Sequence, residues 1–225
     1  MIQIIRKNPY YFGGMTLFIL VLVVLIAILP KGAEILFFNR HRNYFLDTFF
    51  AMFTRFGESV PYIIAILLLL QIRIRYALMV ATTGLSVMLV CALLKAYFAE
   101  ARPYLYFEDL GLSDILVPVL NIEFLKGFTS FPSGHTTSGF ALYGILSLVI
   151  IRKPLLDIFF LVMAMLVGIS RMYLGQHFLE DVCAGAYLGM LIALANYQII
   201  NTLRDKRLDE GVYFFSTIQQ NKKIY

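Results

Sequence analysis

Six apolar runs set the first constraint on this chain. They cover residues 11–30, 58–72, 75–98, 135–152, 154–173 and 178–201. Counted with their interfacial residues, they approach the ~20 residues that cross a ~30 Å hydrocarbon core. A backbone in lipid must satisfy its own hydrogen bonds, which makes such runs helices. The reading is an all-α, polytopic membrane protein built as a six-transmembrane-helix bundle. The second run is short by strict count. It is expected to begin in the Phe-rich stretch NYFLDTFFAMFTRFG, residues 43–57, whose amphipathic pattern suits the membrane interface.

Composition agrees. The chain is 60% hydrophobic with a mean hydropathy of +0.78, against about 45–50% apolar in soluble domains. Trp is absent, so the 20 Phe and 14 Tyr must form any interfacial belt. The net charge of +5 is assigned to cytoplasmic loops. No basic run interleaved with aromatics points to nucleic acid. Cys91 and Cys183 lie inside apolar runs and are read as packing residues. The first run follows Arg6 and Lys7 and ends at Pro30 and Lys31, not at a small-residue cleavage site. It is expected to be an uncleaved first span. Residues 1–202 are read as one membrane domain with a long loop at about 99–134, and residues 203–225 as a cytoplasmic tail. GAYLG, Gly185 to Gly189, is a small-residue pattern expected to pack within the bundle.

Charge sets an orientation. Arg6 and Lys7, Arg73 and Arg75, Arg152 and Lys153, and Arg204 through Lys223 all fall on one side of a six-span chain. That side is expected to be cytoplasmic, with both termini on it. Lys31, Arg40, Arg42, Arg55, Lys95, Arg102, Lys126 and Arg171 fall on the other side and break the bias.

Three clusters gather on that second side. In KAYFAEARP, Lys95 and Arg102 are seven residues apart, placing them on one face at the end of the third helix, which Pro103 stops. In PSGH, Ser133 is a natural N-cap, Gly134 allows close approach, and His135 follows. A helix N-terminus with free N–H groups is an anion site. In SRMYLGQHFLED, Arg171 ends the fifth helix, and His177 and Asp181 are four apart on one face of the sixth. An Asp bonded to one imidazole nitrogen fixes the tautomer and frees the other nitrogen as nucleophile or base. Taken singly, these are a snorkelling Lys with a capping Arg, an ordinary cap, and a structural His–Asp pair. Together, ionisable groups at membrane depth indicate function, and the excess of cations indicates an anionic ligand such as a phosphate. Two His and one Asp among three cations, without HExxH, do not make a metal site. No metal or other cofactor is expected.

These segments resemble the signature of the type 2 phosphatidic acid phosphatase superfamily, the lipid phosphate phosphatases: KxxxxxxRP, then PSGH, then SRxxxxxHxxxD. The resemblance covers nearly the whole chain up to about residue 202. It implies that His177 is the nucleophile, Asp181 its orienting partner and His135 the general acid. It further implies that Lys95, Arg102, Ser133, Gly134 and Arg171 cradle the phosphate without a metal. The implied function is a lipid phosphate or pyrophosphate phosphatase acting at the non-cytoplasmic face through a phospho-histidine. In a bacterium that face is the periplasmic side of the inner membrane. A phosphotransferase that passes the group to an alcohol is the alternative. A soluble vanadate haloperoxidase is disfavoured by the apolar runs, and a non-enzymatic anion transporter or scaffold by the full His–His–Asp set. The expected partner is a phosphorylated lipid in the bilayer: undecaprenyl pyrophosphate, phosphatidylglycerophosphate, phosphatidic acid or a lipid A phosphate. The loop over residues 104–130 carries Glu108, Asp109, Asp114 and Glu123. It is the candidate for head-group selection.

Overall fold

The computed structural model describes residues 8–119, 122–150 and 154–212. The expected charges at Arg6, Lys7, Arg152, Lys153, Lys222 and Lys223, and the tail beyond residue 212, lie outside them. Among the described residues there is no strand. Nine α-helices follow one another among these described residues: α1 (Pro9–Ile28), α2 (Ala33–Arg40), α3 (Tyr44–Phe53), α4 (Ser59–Ile72), α5 (Ile74–Phe98), α6 (Pro103–Asp109), α7 (Gly134–Val149), α8 (Pro154–Tyr173) and α9 (Leu179–Asn201). A 3₁₀ turn, Thr54–Gly57, joins α3 to α4.

All six apolar runs have become helices, and the protein is an integral membrane protein. Four stretches are long and apolar enough to cross a bilayer: Pro9–Ile28, Ile74–Asp109, Pro154–Tyr173 and Leu179–Asn201. The pair Tyr44–Gly57 and Ser59–Ile72, bent by 52°, makes a fifth if taken as one broken span. The Phe-rich stretch is thus helical and continuous with the second run. Helix α7 has 16 residues, which at 1.5 Å each gives ~24 Å, shorter than a ~30 Å hydrocarbon core. Among the described residues, four or five stretches are therefore counted as crossings by length and composition.

Helix α7 is the centre of the bundle, packed against α9, α8 and α5. Phe140, Ala141, Leu142 and Ile145 are buried along it. By contrast, α1, α4 and α5 expose Leu20, Val24, Ile63, Leu67, Met88 and Leu89, as lipid-facing helices do. Tyrosines from the outer helices bring polar tips inward with a partner for each. Tyr11 donates to Phe140 O (2.9 Å) and Tyr62 to Ser138 O (2.9 Å).

Alternation of helix direction brings the C-terminal ends of α5 and α8 beside the N-terminal ends of α7 and α9. At the opposite end, buried Arg75 is not a free loop cation. Its Nη1 caps the end of α9 through Ile200 O (2.8 Å) and Leu203 O (2.9 Å), and its Nε pairs with Asp209 (2.9 Å). Arginine at a helix C-terminus satisfies carbonyls that the helix itself leaves open.

The α7–α9 seam is where the GAYLG pattern goes. A Cβ on Gly189 would fall 2.9 Å from both the Ala141 nitrogen and Phe140 Cβ. Backbone cannot give way there. Gly189→Leu is expected to destabilise the fold by about 1–3 kcal/mol or more, read as a lowered thermal midpoint in detergent. An unchanged midpoint would contradict this seam.

Candidate active site

Lys95 stands in the last turn of α5. The helix ends at Phe98 because Ala99 adopts a left-handed φ of 45°, earlier than the expected stop at Pro103. Arg102 is therefore not two turns along the same helix. It is the extended N-cap residue of α6, with ψ of 157°, as a residue before proline must be. The two cations still meet, at Thr129. Lys95 Nζ donates to Thr129 O (2.5 Å), and Arg102 donates through Nε to Thr129 Oγ1 (3.1 Å) and through Nη2 to Thr129 O (3.3 Å). Arg102 Nη1 reaches Gln176 O (3.1 Å).

Ser133 is the N-cap of α7. Its Oγ accepts from Thr136 N (3.4 Å) and Thr136 Oγ1 (2.8 Å). Its own N–H donates to Asp181 O (3.0 Å). Gly134 opens the helix, with Lys95 as the nearest neighbour of its missing side chain. His135 follows, half-buried, with Nε2 3.6 Å from Glu58 Oε1.

Arg171, buried in the last turn of α8, donates through Nη1 to Thr54 Oγ1 (2.6 Å). Its Nε is also buried and has no hydrogen-bond partner among the described residues. A buried orphan donor on a guanidinium is costly, and an anion in the cradle would satisfy it. The chain then turns back: Gln176 N and His177 N both donate to Arg171 O (2.9 and 3.3 Å).

His177 and Asp181 are not neighbours on one helical face. Helix α9 begins at Leu179, so His177 precedes it. Asp181, in the first turn, folds its carboxylate back over the helix start. Its Oδ2 accepts from Phe178 N (2.9 Å) and Ser130 Oγ (2.6 Å) and lies 3.3 Å from His177 Nδ1. With Nδ1 held, the ring presents Nε2 as its other nitrogen. His177 is 2% exposed. Burial, then the charges of Arg171, Arg102 and Lys95, push its pKa well below the usual value, against a smaller opposing effect of the Ser130 backbone. The imidazole is therefore neutral near pH 7, with a lone pair to offer.

The structure thus brings Lys95, Arg102, Ser133, Gly134, His135, Arg171, His177 and Asp181 to one end of the bundle. Several contributors carried no sequence signal. Thr129 and Ser130 lie just before PSGH in what reads as plain loop. Thr54 and Glu58 come from the α3–α4 bend. Glu34, buried on α2, accepts from Leu179 N (3.0 Å) and so caps α9 from outside. Burial raises its pKa, and Glu180 and Asp181 add to the rise. Gln176 clasps the 104–130 segment through Glu123 O (3.0 Å) and Leu125 N (3.4 Å). Part of that segment is α6, not loop. Of its four carboxylates, Glu123 lines a cavity of about 670 Å³ that also borders Asp47, Thr54, Glu58, Arg171 and Gln176.

Comparison with known proteins gives the same class. The model of the PAP2 superfamily matches residues 74–205, and the chain belongs to that superfamily. It is 31% identical over 162 residues to the lipid A 4'-phosphatase of Bacteroides thetaiotaomicron, covering 69% of this chain and 70% of that one. It is 39% identical over 71 residues to phosphatidylglycerophosphatase B of Bacillus subtilis, covering 28% of this chain and 35% of that one. The crystal structure of Aquifex aeolicus LpxE superposes with a TM-score of 0.63 at 24% identity, over 73% of this chain and 92% of that one, which is a likeness of fold. The chain matches less than half the length of several curated relatives.

Ser130 is the contact that most directly fixes the Asp181 carboxylate. Hydrogen bonds to charged groups contribute ~1.5–3 kcal/mol. Ser130→Ala is expected to lower kcat for phosphate release about tenfold, ~1.4 kcal/mol, with KM near unchanged. A wild-type kcat would mean that Phe178 N–H alone positions Asp181.

Proposed function

We propose that this chain is a lipid phosphate or pyrophosphate phosphatase that works without a metal ion, through a phospho-histidine at His177. The observation that carries this reading is one arrangement. A neutral His177 is anchored at Nδ1 by Asp181, with Lys95, Arg102, Arg171 and the α7 N-terminus around it. Phosphoryl transfer asks mainly for positioning and for charge stabilisation of the equatorial oxygens. Three fixed cations and the N–H groups of a helix start supply that charge. Arg171 Nε, buried without a partner among the described residues, is a ready donor to one phosphate oxygen.

In the first step Nε2 of His177 attacks phosphorus while the bond to the leaving oxygen breaks. His135 gives that oxygen its proton. Asp181 stabilises the ring as it becomes cationic and stays ionised itself. In the second step His135, now neutral, takes a proton from water, and that water displaces His177 from phosphorus. Inorganic phosphate leaves, and both histidines return to their starting states.

The cavity beside Arg171 is the proposed seat of the leaving group. Its lining mixes Ala51, Met52, Val119 and Leu125 with Asp47, Glu58 and Glu123, which suits the junction of a head group and an acyl chain. Six membrane crossings, with the site at the non-cytoplasmic face and the termini inside, complete the proposal. The apolar α7 core and the broken α3–α4 span support six crossings. The loop charges of the sequence support the orientation. In a bacterium this makes an inner-membrane enzyme facing the periplasm. Relatives named for phosphatidylglycerophosphate and lipid A support a phosphorylated lipid as substrate.

The test is phosphate release by the purified protein in excess EDTA across a panel of lipid monophosphates and pyrophosphates. Activity is expected to persist, and vanadate is expected to inhibit by occupying the cradle as a five-coordinate mimic. Activity lost in EDTA and restored by Mg²⁺ or Zn²⁺ would overturn the metal-free reading.

A further inference from the structure

The mechanism asks His135 to hold a proton in an unfavourable place. Burial weighs most against a charged ring there, and the charges of Arg171, Lys95 and Arg102 bear on it as well, with His177 beside it. Every one of these cations opposes an imidazolium. Something must offset them if His135 is to act as an acid near neutral pH.

The α3–α4 bend brings a carboxylate to that place. Gly57, the last residue of the 3₁₀ turn, packs directly on the first turn of α7. A Cβ there would fall 2.8 Å from the His135 carbonyl oxygen and 2.7 Å from Val167 Cγ1, so a residue without a side chain is what permits the approach. Glu58 follows at the N-cap position of α4, where its side chain makes no capping hydrogen bond. It reaches across to α7 instead, and Oε1 lies 3.6 Å from His135 Nε2. That distance suits an ion pair but is too long for a hydrogen bond, so the ring N–H is not spent on Glu58. Glu58 also borders the cavity assigned to the leaving group. The carboxylate therefore faces both the acid and the place where its proton is used. The same turn braces a second site residue, since Thr54 accepts from Arg171.

We propose that Glu58 is a positioning residue that holds the charge of the protonated His135 ring and aims its N–H at the departing oxygen. This rests on the reading of His135 as the general acid. The proton passes from His135 to the leaving oxygen as the phosphorus–oxygen bond breaks and the bond from His177 Nε2 to phosphorus forms. Glu58 stays a carboxylate throughout. The side chains of His135 and Glu58 are 32% and 45% exposed, so solvent screens the pair and its effect is moderate.

The sign follows from the charge. Removing the carboxylate disfavours the imidazolium, so His135 gives up its proton at lower pH. The rate, which needs the protonated form, then falls at lower pH on the alkaline side. The substrates are a long-chain alkyl phosphate and an aryl phosphate carrying the same chain. An alkoxide needs a proton to leave; a phenolate needs it far less.

The experiment measures Glu58→Gln and His135→Ala on both substrates across pH. For Glu58→Gln the account expects about a tenfold loss of kcat on the alkyl phosphate and less than about threefold on the aryl one. It also expects the alkaline limb to move down by about half a pH unit to one unit. His135→Ala should show the same selectivity, more severely. Equal losses of Glu58→Gln on both substrates, or no loss and no shift of the limb, would overturn the role of Glu58 while His135→Ala stays selective. If His135→Ala itself loses equally on both substrates, the general-acid reading fails, and this inference fails with it.

Discussion

The site hangs on one buried carboxylate. Asp181 Oδ2 takes the Phe178 N–H at the start of α9, the Ser130 hydroxyl from the loop before α7, and the Nδ1 side of His177. Its main-chain oxygen takes the N–H of Ser133, the cap of α7. One residue thereby ties together two helix N-termini, the loop before α7 and the histidine. A carboxylate this buried is tolerable because its lone pairs are spent and cations lie near. Loss of any one of these partners would leave charge uncompensated and let His177 turn.

Around that hub the topology does the electrostatic work. Up-and-down helices place Lys95 and Arg171 at two C-terminal ends beside the N-terminal end of α7. Positive side chains and free N–H groups converge on one small volume, a density of positive charge that calls for an anion. Arg102 holds Thr129 and Gln176 in place, so the loops on either side of the cradle cannot drift apart. Glu34 caps α9 from α2, and the α3–α4 bend braces Arg171 through Thr54 and approaches His135 through Glu58.

Much of this was legible in the sequence, and the losses have physical causes. Apolar runs located every long helix, because burial in lipid leaves a dense compositional mark. The count of crossings was less legible. Helix α7 is buried by protein on all sides, so its length answers to the bundle and not to the bilayer. The three polar clusters name residues that do converge, but in two places the local geometry differs from the sequence spacing. The seven-residue spacing puts Arg102 on the α5 helix, whereas the residue before Pro103 is forced to extend and begins α6. The four-residue spacing puts His177 and Asp181 on one helical face, whereas Asp181 reaches back over the start of α9. Thr54, Glu58, Glu34 and Ser130 carry no signal in the sequence because each is ordinary in its own neighbourhood. Their roles arise from contacts with residues between 77 and 145 positions away, or, for Ser130, from a loop with no regular pattern.

The central claim is that His177 carries the phosphoryl group. A rapidly quenched reaction with a lipid phosphate labelled at phosphorus tests it directly, with peptides mapped under alkaline conditions that preserve phosphoramidates. The account predicts transient label on the peptide containing His177, absent in His177→Ala and exchanged to inorganic phosphate within one turnover. Label on His135, or turnover by His177→Ala with no phosphoenzyme, would contradict it.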